Sequence, residues 1–298
     1  MNKIAFFTLL FLLQACAQKP YHGRLDFLGK FPSKLNEVSG IAKENDSIFW
    51  VIEDNGNKDI LYQVNIHGQL IKKYKIGNAK NDDWEDLTTD QNGNIYIGDF
   101  GNNDNDRKDL VIYKLHPSTS KKSKIEAEKI KFEYPEQEKY PPKKENRVFD
   151  AEAFFHWKGH LYIFTKNRSY PYNGQTMIYR VPDKKGDYKA KLIGQLVICE
   201  NPKYCSVTSA DISSDGKKIV LLGYGYVYML ENFNKDDFTN SKLTKLYLKH
   251  ETQMESVCFT SNDELIIADE QSQSKGRNIY RYDLGKALKT KTDPKGKP

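Results

Sequence analysis

Acidic and hydroxyl-bearing residues head five similar segments of this chain: Glu37-Val-Ser-Gly-Ile, Asp83-Trp-Glu-Asp-Leu87, Asp150-Ala-Glu-Ala-Phe154, Thr208-Ser-Ala-Asp-Ile212 and Met254-Glu-Ser-Val-Cys-Phe259. Each is followed by an apolar run ending in Asp54, Asp99, Lys166, Gly223 or Asp269. Counting back 14 or 15 residues from those ends selects Ser39, Glu85, Glu152, Ser209 and Glu255. Thr208 is the alternative to Ser209, because loop length changes there. If the segments are equivalent strands, each places one oxygen side chain at a common level. Two carboxylates ~5 Å apart repel by about 3 kcal/mol at an effective dielectric near 20, so three converging pairs cost on the order of 10 kcal/mol. No Lys or Arg occupies an equivalent position. The remedies are protonation, outward rotation or a bound cation. Oxygen-only ligands favour a hard ion, and a roomy site favours Ca²⁺ over Mg²⁺. The structural alternative is a set of strand caps binding water and backbone amides.

The elements that would position these residues are strands. Every segment pairs with a second apolar run, such as Ile48–Asp54 or Asn94–Asp99. A third run follows, reading Ile60–Val64, Leu110–Lys114, Met177–Arg180, Tyr226–Met229 and Asn278–Tyr282. Alternation and β-branched or aromatic content mark them as strands, and Asn-Gly, Lys-Gly and Asp-Gly turns separate them. A fourth run is readable at Leu70–Ile76, Lys129–Tyr134, Leu192–Ile198 and Leu243–Leu248. Four-stranded repeats of this length predict an all-β propeller of five blades, or six if Ser118–Arg147 hides another. The fifth repeat lacks its outer strand, which Arg24–Phe31 would supply, closing the ring by joining the chain ends.

Strand ends at one mouth of the channel would gather Glu53-Asp54, Asp99, Lys166-Asn-Arg168 and Asp269-Glu270. Asp54 and Asp99 beside Ca²⁺ would activate water, while Arg168, Lys166 and Arg107 hold an anion. A solvated loop rim is the alternative. No P-loop, nucleophile elbow, HExxH or EF-hand loop is present. His156 and His160 are separated by a turn and do not form a helical metal pair. Pro135–Arg147 reads as a long surface loop or a partial lid.

The order Ser, Glu, Glu, Ser, Glu resembles the soluble calcium-activated nucleotidase (apyrase) family, five-bladed propellers with one Ca²⁺ in the channel. Glu37-Val-Ser-Gly-Ile with Val51-Ile-Glu-Asp-Asn-Gly56 is similar to that family's first-blade motif, and Lys166-Asn-Arg168 to its basic segment. The resemblance implies a Ca²⁺ site at the five ring residues and hydrolysis of nucleotide phosphates. Two departures stand out. The family's Asp-Asp-Arg-Thr-Gly is Glu53-Asp-Asn-Gly-Asn57 here, and its Gly-Lys-Glu-Trp is Gly101-Asn-Asn-Asp104. Both remove basic groups that would hold phosphate, so the metal carries over better than the activity. A looser resemblance extends to bacterial SdiA-regulated and phytase-like propellers. The non-catalytic reading is a propeller binding a protein, glycan or small ligand at its mouth.

Of the 298 residues, 12% are aromatic and 29% charged, which excludes global disorder. The net charge of +6 comes from scattered lysines without an aromatic-interleaved basic stripe, so nucleic acid is not an expected partner. The start Met1–Lys3, the apolar run Ile4–Leu13 and Leu13-Gln-Ala-Cys16 read as a bacterial signal peptide over residues 1–15, with lipidation of Cys16. Acyl chains would anchor the protein to a membrane of the cell envelope, outside the cytoplasm and on the periplasmic or surface face of an outer membrane. A tether over 16–23, a propeller over 24–285 and a basic tail over 286–298 complete the layout. Export permits disulfides. Cys199 and Cys205 bracket a short turn and are either bridged or free, whereas Cys258 sits in an apolar strand as a core residue.

Overall fold

The computed structural model describes residues 22–116 and 123–292. The signal peptide, Cys16, residues 17–21 of the tether and the end of the basic tail lie outside the described residues.

Five antiparallel sheets surround a central channel. Blade 1 comprises β2 (Val38–Lys43), β3 (Ile48–Glu53), β4 (Ile60–Asn65) and β5 (Leu70–Ile76). Blade 2 runs from β6 (Trp84–Thr89) through β7 (Ile95–Asp99) and β8 (Val111–Leu115) to β10 (Glu128–Glu133). Blade 3 contains β11 (Asp150–Trp157), β12 (His160–Lys166), β13 (Gln175–Pro182) and β15 (Lys191–Val197). Blade 4 contains β16 (Ser209–Ile212), β17 (Lys218–Gly223), β18 (Tyr226–Glu231) and β19 (Lys242–Tyr247). Blade 5 contains β20 (Met254–Ser261), β21 (Glu264–Asp269) and β22 (Asn278–Asp283). Its outer strand is β1 (Asp26–Lys30), which pairs antiparallel with β22 through Phe27 opposite Tyr280. The chain ends therefore close the ring as the strand pattern requires.

Five apolar cores fill the five blade interfaces, one core per interface. Trp50, Ile52 and Tyr74 of blade 1 meet Trp84, Ile97 and Tyr113 of blade 2. The remaining junctions are packed alike, including blade 5 against blade 1 through Ile266, Ala268, Val51 and Phe49. Alternate strand residues face opposite neighbours, which is why these strands are apolar on both sides.

Two details differ from the expected layout. The described part of segment 118–147, residues 123–147, forms no sixth blade, which leaves the five-blade alternative. It yields β9 (Lys124–Ile125), which adds parallel to β5, and β10, the outer strand of blade 2. With β14 (Gly186–Lys189) parallel to β10, blades 1 and 2 gain a fifth strand that covers their edges. The basic tail also begins as a helix, Leu284–Thr292. Leu284, Ala287 and Leu288 share one helical face, and that face packs on the core between blades 4 and 5. Cys199 and Cys205 are disulfide-bonded, with Cα atoms 5.5 Å apart across the turn Pro202–Cys205, while Cys258 is a buried free thiol.

Candidate metal centre at the channel mouth

The inner strands of four blades carry a one-residue bulge at the same place: Ser39 between Val38 and Gly40, Glu85 between Trp84 and Asp86, Glu152 between Ala151 and Ala153, Glu255 between Met254 and Ser256. A bulge leaves its extra residue unpaired and re-aims its side chain. Here it turns four oxygen side chains toward one mouth. Gly40 follows the first bulge, and a Cβ there would lie 2.7 Å from the Leu87 amide nitrogen, so the close approach of blades 1 and 2 requires glycine.

In blade 4 the expectation needs a correction. Ser209 pairs with Leu222 as Asp86 pairs with Gly98 in blade 2, so Ser209 is equivalent to Asp86 and lies one step deeper. The ring residue is Thr208. Its hydroxyl donates to the Met254 carbonyl at 2.7 Å, as Ser39 donates to the Trp84 carbonyl at 3.1 Å, each reaching one blade forward. The ring is therefore Ser39, Glu85, Glu152, Thr208 and Glu255.

Ser209 serves the layer below. Its hydroxyl lies 3.2 Å from both oxygens of Asp86, and it accepts the Val257 amide at 3.1 Å. Asp86 also accepts the amides of Leu87, Phe154 and Ala210, tying blade 2 to blades 3 and 4. Asp86 has no exposed surface, and burial holds its acid well above the usual carboxylate range despite these four donors.

The strand ends also shift by one residue. Glu53, Asp99, Thr165, Gly223 and Asp269 are the equivalent set, and they turn away from the channel. Glu53 accepts from the Tyr62 hydroxyl at 3.0 Å, and Asp269 from the Tyr280 hydroxyl at 3.0 Å. Asp99, expected at the mouth, is buried and paired with Arg107 Nη2 at 2.9 Å while accepting the Asp83 amide. Its surroundings are those of a structural anchor. The residues that follow, Asp54, Lys166, Tyr224 and Glu270, face the mouth.

Charge divides the mouth in two. On the side of blades 1 and 2, Asp54, Asp83 and Glu85 each place a carboxylate oxygen within 4.8 Å of the others. Among the described residues no salt bridge reaches any of the three. Gly101 makes room for them, since a Cβ there would sit 2.2 Å from Glu85 Oε1 and 2.4 Å from Asp83 Oδ2. Burial pushes Asp54 and Asp83 up to about 6 and Glu85 well above its ordinary value, and neighbouring carboxylates add to all three.

On the side of blade 3 the acids are paired: no Lys or Arg occupies a ring position, but the two bases expected to hold an anion at the mouth are turned onto the ring acids instead. The Lys166 ammonium binds Glu152. Arg168 donates from Nε to Asp150 at 2.7 Å and from Nη2 to Glu152 at 2.9 Å, and also binds Asn103. Burial still raises Glu152, with Lys166 and Arg168 pulling against it. Beyond Lys166, Tyr224 donates to Glu255 at 2.9 Å, and Gln253 donates to Glu270. Burial brings Glu255 up to about 8 and Glu270 to about 7. Arg168 is held in place from the Pro-rich loop, because its amide donates to the Arg147 carbonyl at 2.9 Å.

Glu85, Asp150 and Glu152 also converge within 4.8 Å, so Glu85 joins the paired and unpaired halves. The donor set is oxygen throughout, with no His or Cys in either group, and it fits a hard cation. Glu37, Asp83 and Asp150, two residues before the ring positions, went unassigned in the sequence. The same alternation that selected the ring puts them on its face.

No protein-family model matches the sequence, and no curated protein does. The apyrase resemblance therefore rests on the motifs alone. Among solved structures the fold is similar to the PQQ-bound aldose sugar dehydrogenase of Streptomyces coelicolor, at 8% identity and TM-score 0.50 over 88% of this chain and 98% of that one. The luciferin-regenerating enzyme matches at 13% identity and TM-score 0.45, over 88% of this chain and 95% of that one. The WD40 β-propeller domain of Doa1 matches at 10% identity and TM-score 0.39, over 89% and 71%. At 8% identity the first likeness concerns the fold alone, and the five sheets of this chain make that fold a five-bladed β-propeller.

Proposed function

We propose that this protein is a calcium-binding β-propeller of the bacterial cell envelope, anchored by a lipidated Cys16, with a calcium-dependent hydrolytic site for phosphate anhydrides or esters at its channel mouth. The observation that carries this reading is the convergence of Asp54, Asp83 and Glu85 with no salt bridge to any of them among the described residues, beside a glycine that leaves them room. A cation held by these three and by the remaining ring oxygens would relieve their repulsion. Bound Ca²⁺ would supply Lewis-acid polarisation of a phosphoryl oxygen and a more acidic water. The protein's own part is to hold protons and orient the ligand. Glu270, outside the ring and raised by burial to about 7, can exchange a proton with a leaving group or water. Arg168, a third exposed at its side chain, faces the mouth and can orient an anion.

A specific observation favours a second reading. Lys166 and Arg168 are already engaged by Glu152 and Asp150, which leaves little positive charge for a phosphate. In that case the ion would be a structural pin, and the mouth would bind a protein, glycan or small ligand without turnover. One experiment separates the two: melting in EGTA and in Ca²⁺, with phosphate release from nucleoside diphosphates measured on the same samples. A ligand at 100 times its Kd stabilises the native state by about 2.7 kcal/mol. A shift with release that is lost in Glu85→Gln supports the hydrolase. A shift without release supports the pin, and no shift removes calcium from both. Membrane partitioning that disappears in Cys16→Ser tests the anchor.

A further inference from the structure

The channel opens at its other end into a separate cavity of about 790 Å³, inside the span of roughly 300–1,000 Å³ typical of small-molecule sites. Continuing down the inner strands past the Asp86 layer, its deep lining is Ala42, Thr88, Asp211 and Cys258. Asp211 accepts the Phe259 amide at 2.8 Å and the Ile212 amide at 2.8 Å. No salt bridge reaches it among the described residues.

The other charges on this wall have protein partners. Asp90 accepts from the amides of Asn92 and Asn94 and from the Tyr96 hydroxyl. Asp183 pairs with His156 at 2.9 Å, Asp215 accepts from Ser213, and Glu44 accepts from Gln63. The Lys43 ammonium is shared between the Thr260 carbonyl and Asp46, and Lys158 lies over the Trp157 ring. Asp211 alone among these carboxylates faces the cavity with backbone amides as its only partners.

That arrangement selects a ligand class. An anion would meet a carboxylate. A bare Ca²⁺ would need six to eight oxygens, and a single unengaged carboxylate in so large a space does not supply them. A sugar platform needs an open aromatic face, but Trp157 is packed against Phe233, Phe238 and Tyr162 and capped by Lys158. A protonated amine meets the requirement: one positive charge for one carboxylate, with an organic body to fill the volume.

We propose that this second mouth is a binding site for a small organic ammonium ligand, its charged head on Asp211 and its body in the surrounding cavity. Burial lifts the Asp211 acid to about 7 with no basic group among the causes, and an ammonium would supply the missing charge. The site is independent of the calcium reading.

The test is isothermal titration of the full chain at pH 8, in EGTA, with putrescine, spermidine and choline, and with glycerol as a neutral control. We expect saturable binding of at least one amine, none of glycerol, and at least tenfold weaker binding in Asp211→Asn. Should that variant fail to fold, Asn92→Lys at the exposed rim brings a competing ammonium without removing a blade-to-blade tie, and should weaken binding about fivefold. Absence of amine binding would overturn the proposal, as would unchanged affinity in the variants that fold. Loss of binding in Glu85→Gln, at the opposite mouth, would also overturn it by assigning the amine to the carboxylate ring.

Discussion

Glu85 and Glu152 occupy the same place in successive blades, on the same bulge and at the same mouth, and burial raises both, yet only one of them is bonded by bases. Glu152 is bonded by Lys166 and Arg168. Glu85 faces Glu152, Asp54, Asp150 and Asp83, and each of them raises it further. The repeat fixes where a side chain points. The next strand end decides whether a base is there: Lys166 in blade 3 binds Glu152, whereas Phe100 at the same place in blade 2 is buried in the apolar core between blades 2 and 3. Pseudo-symmetry thus builds a ring of positions, and unequal substitution around it builds a site.

The largest test of this contrast removes one charge from each side. In EGTA, Glu152→Gln should destabilise by about 3 kcal/mol, because it strands the buried Lys166 ammonium, while Arg168 keeps Asp150. Glu85→Gln should stabilise the metal-free protein by about 1–2 kcal/mol and abolish any calcium-induced shift. Denaturant midpoints measure both, and shifts of the same sign would break the comparison.

A pH series comes next. Asp54 and Asp83 sit near 6 and Glu270 near 7, all above their ordinary values. The folded protein therefore binds more protons than the unfolded chain between about pH 4 and 7, so stability falls as pH rises through that window. Metal-free melting should be lower at pH 8 than at pH 5 by about 5 °C or more, and Ca²⁺ should flatten the difference. A melting temperature that rises over that range would show that the unpaired acids do not govern stability.

Much of this was legible in the sequence, for definite reasons. Strands such as Ile48–Glu53 and Ile95–Asp99 are apolar on both faces and bounded by turn residues, so period and punctuation agreed. The closing strand was readable because the last repeat lacked one. What stayed hidden depends on contacts between distant residues. Lys166 neutralises Glu152 across a bulge whose extra residue shifts the count, and the same shift turned Asp99 inward and exposed Asp54. Blade 4 shows no bulge at its first pair, so Thr208 and Ser209 could be told apart only by their partners. Asp86 looks like one more surface acid until its amides from blades 3 and 4 are seen.

A finer test follows from that register. Thr208→Val should weaken calcium binding a few-fold while costing about 1 kcal/mol in stability. Ser209→Ala leaves the Val257 amide and Asp86 short of a partner, so it should cost about 1–3 kcal/mol and leave calcium affinity unchanged. The opposite pattern would restore Ser209 to the ring. Smallest of all, Asp99→Asn should leave any turnover intact, because the Asp99 carboxylate has no exposed surface and is committed to Arg107 and the Asp83 amide.

The pairing of Phe27 with Tyr280 also orders events in time. During synthesis β1 leaves the ribosome before every other strand of the propeller, and its partner β22 is the last of them to be made. Its residues suit that wait: Asp26 and Lys30 are charged, Leu28 interrupts the register between Phe27 and Gly29, and no position is fully buried even in the finished ring. A nascent chain arrested before β22 should hold four blades, an unpaired leading strand and no closed ring, and release of the final segment should convert it to a protease-resistant form.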